Sequence, residues 1–91
     1  MNVTDYSTPK DIESDMRKVV KQYTGRTYVF SCKMSHLVDK SKYYLIVAKG
    51  TNGYCVWHYD SLAKQLFWGQ LDLTFPVAMD YVANTLNGRN I

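Results

Sequence analysis

Two histidines, two cysteines and eight carboxylates are the side chains of this 91-residue sequence that could do metal, nucleophilic or acid–base chemistry. Cys55 and His58 stand as C-x-x-H, and His36 lies near Asp39. Structural zinc wants four ligands in close pairs, a pattern these residues and Cys32 do not supply. Residues three apart on a strand point to opposite faces, so Cys55 and His58 could share neither a metal nor a nucleophile–base pair. Glu13 is the single Glu, and the seven Asp sit mainly at caps, turns and tails, as Asp11, Asp60 and Asp72 do. Gly50 and Gly53 belong to a hairpin with no helix behind it, so there is no glycine-rich phosphate loop. The expectation is a protein that is not an enzyme and uses no cofactor and no metal.

The elements that must position these residues are organised around Tyr43 to Tyr59. Asn52-Gly53 predicts a two-residue type I′ turn, because both central positions need positive φ. That turn pairs Thr51 with Tyr54, Ala48 with Trp57 and Ile46 with Tyr59. Tyr44, Ile46, Ala48, Cys55, Trp57 and Tyr59 then share one face. Tyr43, Leu45, Val47, Lys49, Tyr54, Val56 and His58 share the other. The first face is assigned to the core, with small Ala48 against large Trp57.

Ahead of the hairpin, Thr8 reads as a helix cap with Pro9 behind it. Ile12, Met16, Val19, Val20 and Tyr23 form an apolar stripe that Gly25 ends. Arg26 to Met34 alternates, placing Tyr28, Phe30, Cys32 and Met34 on one side. Cys32 and Cys55 are expected to face the core as free thiols, two strand spacings or roughly 10 Å apart and beyond disulfide reach. Ser35 to Ser41 is a loop. After the hairpin, Asp60 to Gln65 reads as a turn and Leu66 to Gln70 as a fourth strand, with Trp68 opposite Trp57 and Phe67 on the second face. A last helix starts near Thr74 with Pro76 in its first turn. Phe75, Ala78, Met79, Val82 and Leu86 form its stripe, and Asn87-Gly88 ends it.

The fold class is α+β: a four-stranded antiparallel meander with N- and C-terminal helices (α-β-β-β-β-α), both helices expected on one face of the sheet. Residues 1–91 are one domain, with 1–7 and 89–91 as loose tails. The apolar fraction is 46% and the charged fraction 21%, which excludes a disordered chain. The N-terminus is polar, with no signal peptide and no apolar run of about 20 residues, so no membrane partner is expected. Asn2-Val3-Thr4 matches a glycosylation sequon by chance on this reading. Free thiols and no leader point to the cytoplasm.

Function is sought on the second hairpin face, which is apolar where an outer sheet face is usually polar. Its candidate partner-binding residues are Tyr43, Leu45, Val47, Lys49, Tyr54, Val56, His58 and Phe67, with Lys42 at the rim and Val29, Ser31 and Lys33 beside them. The expected activity is a non-enzymatic protein-interaction module, binding a protein partner or itself as a homodimer through the sheet. Its size and lack of motifs fit a small bacterial or phage accessory or inhibitor protein. Coverage of this face by one helix is the structural alternative. The rival function is single-stranded nucleic-acid binding by the same tyrosines and lysines. Arg17, Lys18, Lys21 and Arg26 form the densest basic patch and are candidate anion or nucleic-acid contacts. The helix–strands–helix order resembles the double-stranded-RNA-binding domain. That domain has three strands and a basic start to its second helix. Here Thr74 to Asp80 holds no Lys or Arg, and the resemblance stops at the order.

Overall fold

The computed structural model describes residues 8–34 and 43–87. His36, Asp39, Lys42, the 35–41 loop and both expected tails lie outside them. The elements are α1 (Lys10–Thr24), β1 (Thr27–Lys33), β2 (Tyr43–Gly50), β3 (Gly53–Asp60), β4 (Gln65–Leu73) and α2 (Phe75–Leu86). The strands form one antiparallel sheet in the order β1-β2-β3-β4, the expected meander.

Helix α1 ends as its sequence requires. Gly25 takes φ 71°, and its N–H donates to the Lys21 carbonyl at 3.1 Å. Its start differs from expectation. Thr8 does not cap it; the Thr8 hydroxyl instead bonds Ser31 of β1 at 2.6 Å. Helix α2 has the expected cap, with Thr74 Oγ1 accepting from the Val77 N–H at 3.4 Å.

The two helices lie on opposite faces of the sheet, which corrects the one-face expectation. On one side, Met16 and Val20 of α1 bury Tyr28, Tyr44, Ile46, Ala48, Cys55, Trp57 and Tyr59. On the other, Ala78 and Val82 of α2 bury Met34, Leu45, Val47 and Val56. The reason is the hairpin itself. β2 and β3 are apolar at successive positions, so both faces need covering, and each helix has one stripe to offer.

The hairpin register also differs. Ala48 pairs with Cys55 and Ile46 with Trp57, two residues away from the type I′ expectation. A shift of two keeps every side chain on its face and changes only its partner. Neither Thr51 nor Asn52 has positive φ. Gly53 enters β3 at φ 142°, where a Cβ would stand 2.7 Å from the Leu73 carbonyl oxygen. The glycine therefore serves the close approach of β4 and not the turn centre.

Bulges interrupt both outer strands. In β1 the register shifts between Tyr28 and Phe30, leaving Val29 exposed. Tyr28 thus faces α1, while Phe30, Cys32 and Met34 join the α2 side. Cys32 and Cys55 are free thiols as expected but lie on opposite faces, not one. In β4 Asp60 pairs with Gln65, Tyr59 with Leu66 and His58 with Phe67, which puts Phe67 on the second face as expected. Two extra residues then enter before Leu73 meets Tyr54.

Leu45 is 1% exposed between β2 and α2, whereas Leu62 in the β3–β4 turn is 77% exposed. Leu45→Ala is expected to lower unfolding free energy by about 2–5 kcal/mol in urea titration. Leu62→Ala should stay within about 0.5 kcal/mol of the parent. On the α1 side, burial raises the hydroxyl pKa of Tyr28, Tyr44 and Tyr59 above the usual 10.0. A raised folded-state value means full stability below the unfolded value and loss as pH climbs through it. Urea midpoints should fall above about pH 10 together with the appearance of tyrosinate absorbance.

Candidate functional site

The second hairpin face is not an open surface. Leu45, Val47 and Val56 are buried beneath α2. His58 is buried between Phe67 and Trp68, with ring centroids 5.4 Å from each. Tyr43 packs edge-on to Phe67 at 5.6 Å, and Tyr54 edge-on to Phe75 at 5.1 Å. These tyrosines are half-buried at the edge of the α2-side core. Lys49 is exposed at the hairpin end, with its ammonium 5.6 Å from the Tyr54 ring centroid. Ser31 and Lys33 turn toward α1's side by their pairing with Ile46 and Tyr44. The partner-binding set is thus brought together as expected, but most of it as core.

Large apolar side chains stay exposed along β4 and the start of α2. Trp68, Leu71, Phe75 and Val77 are large apolar side chains open to solvent, Trp68 at 66%. An unbroken strand would set Trp68 in the core opposite Trp57, as its sequence leads one to expect. Gly69 occupies that place instead. A Cβ there would fall on Nε1 and Cδ1 of the Trp57 indole, so nothing larger than glycine fits over Trp57. The extra residue that puts Gly69 in register throws Trp68 onto the other face, with φ 52°. Left-handed backbone costs a non-glycine residue about 1–2 kcal/mol, and for a bulky one it is a genuine outlier. Asp72, at φ 59°, marks the second bulge. No register argument reveals such bulges. A compositional signal was available: between Gln65 and Asn87 the charged residues are Asp72 and Asp80, with no Lys or Arg.

Among the described residues the chemistry-bearing side chains stay apart. Cys55 faces α1 and His58 faces α2. Burial pushes the Cys32 thiol up, away from the reactive thiolate. Among the described residues no three of His, Cys, Asp and Glu group closely enough to hold a metal. A concavity of about 530 Å³ between α1 and the β3–β4 turn is lined by Tyr23, Ala63, Lys64, Gln65 and Leu66. Lys64 is its only charged lining residue, and it pairs with Asp15 at 3.3 Å. Tyr23, expected in the α1 core stripe, is exposed at this groove.

The basic patch separates into two parts. Arg17, Lys21 and Arg26 line one concavity with Thr27 and Tyr28; Lys18 is exposed and does not line it. No described helix is long and apolar enough to cross a membrane. Comparison with protein families, curated proteins and solved structures finds no match to this chain.

The strain at position 68 is separable from the ring it carries. Trp68→Gly and Trp68→Ala both remove the indole, but only glycine is at ease at φ 52°. Chemical denaturation should find the glycine variant more stable than the alanine variant by about 1 kcal/mol.

Proposed function

We propose that this chain is a non-enzymatic protein-interaction module that docks through its β4–α2 side onto a second copy of itself. Trp68 carries this reading. Its indole is held two-thirds exposed by a backbone conformation that opposes folding. An exposed aromatic residue held at a strained backbone position is a candidate contact outside the fold. Trp is the residue type most enriched among the anchors of protein interfaces.

The surroundings support the same reading. Leu71, Phe75 and Val77 are further exposed apolar side chains of β4 and α2, and charge is sparse from Gln65 to Asn87. Depletion of charge together with aromatic enrichment is the composition of an interface core. The chain carries +3 net charge, yet no Lys or Arg lies in this stretch. Two copies meeting here turn their Lys and Arg residues away from each other, which lowers the repulsion between two basic chains. Bulges at Trp68 and Asp72 kink β4, the edge strand, which disfavours continuing the sheet across the contact and leaves it to side chains.

Light scattering over a concentration series tests this. The parent should be a dimer that persists at high salt, since few charges take part. Trp68→Asp should be monomeric with an unchanged circular-dichroism spectrum. Lys18→Glu, on the far helix, should remain dimeric. A parent protein that is monomeric throughout, or a Trp68→Asp variant that dimerises as well as the parent, overturns the proposal.

A further inference from the structure

The three cations that line the concavity at the α1–β1 junction have no part in that docking surface. We infer that this concavity, bounded by Arg17, Lys21, Arg26, Thr27 and Tyr28, binds the dianionic phosphate of a phosphate monoester. Two of its cations are held in place by aromatic rings. The Arg17 guanidinium lies 4.5 Å from the Tyr28 ring centroid, and that of Arg26 lies 5.7 Å from the Trp57 ring. Stacking on a ring fixes a guanidinium plane, and the N–H groups not taken by Glu13 or by the Thr24 carbonyl stay available for phosphate oxygens, so little side-chain freedom is lost on binding.

The connection beneath them is also fixed. Thr24 Oγ1 donates to the Val20 carbonyl at 2.6 Å and accepts from the Arg26 N–H at 3.1 Å. Arg26 Nη1 donates to the Thr24 carbonyl at 3.4 Å. Lys21 adds a point charge from the last turn of α1.

Charge and size select the ligand. Three cations are opposed by Glu13, which accepts from Arg17 Nε at 3.1 Å and from Nη2 at 2.8 Å. The surplus is two positive charges, matching a monoester dianion better than the single charge of a nucleic-acid diester. The C-terminal end of the α1 dipole subtracts about half a charge, which leaves the surplus positive. The concavity holds about 230 Å³. Pockets for whole drug-sized ligands start near 300 Å³, so this one takes a phosphate head with the remainder of the molecule in solvent.

Amide chemical-shift titrations with inorganic phosphate and with O-phosphoserine test the site. Both should give saturable shifts centred on residues 21–28. Lys21→Gln, a change at an exposed position, should weaken binding about tenfold through loss of a charge-assisted contact. Lys18→Gln removes the same charge from the same helix outside the concavity and should bind like the parent. The inference fails if no saturable shift occurs or if the two glutamine variants weaken binding equally. It fails too if a single-stranded oligonucleotide without terminal phosphates binds as well as phosphoserine.

Discussion

The constraint on which this structure depends is that its central hairpin is apolar on both sides. Tyr44 to Ala48 and Cys55 to Tyr59 are buried without a break. An antiparallel pair with one wet face would alternate. Here the sheet is the middle of three layers, and the helices at the two ends of the chain serve as its covers. Each cover is an amphipathic element whose stripe would be a liability alone, and each face of the sheet needs one. Removing either helix would expose half of the core.

The second organising contact is the seat of the Trp57 indole beneath Gly69. It explains why β4 cannot run straight alongside β3. A regular strand would set Trp68 against Trp57, two indoles where there is space for a glycine. The chain resolves the conflict with an extra residue, and the displaced indole is left facing solvent. A packing requirement on one face of the sheet thereby creates a surface feature on the other. The charge distribution runs parallel to this: six of the eleven Lys and Arg lie between Lys10 and Lys33, while Gln65 to Asn87 holds only Asp72 and Asp80.

Element order, the meander, the Gly25 stop and the Thr74 cap were all legible, because each follows from local chemistry: period, caps and turn residues. The first turn of α1 was less so, since Thr8 had a tertiary partner in Ser31 that local reading does not see. The two-sided character of the hairpin was also legible, including the possibility that a helix covers the second face. Choosing between cover and open surface needed the position of Ala78 and Val82, a long-range fact. The bulges at Val29, Trp68 and Asp72 were not legible at all. Each depends on what stands on the neighbouring strand, and each reverses the facing of everything beyond it. That is why Cys32 and Cys55 were placed together and Trp68 inside. For the basic patch, residue types were readable, but its division between Lys18 and the other three required the fold.

The irregularities of the two outer strands bear on how this chain survives at high concentration. Its hairpin is rich in β-branched and aromatic residues with little charge, the composition from which cross-β fibrils grow. Growth from a folded molecule needs a flat rim on which an incoming segment can lay a continuous ladder. The rim at β1 is kinked at Val29 and the rim at β4 at Trp68 and Asp72. An added strand would lose step with its template within a few residues on either side. The same kinks that redirect side chains thus blunt both edges of the sheet against strand addition.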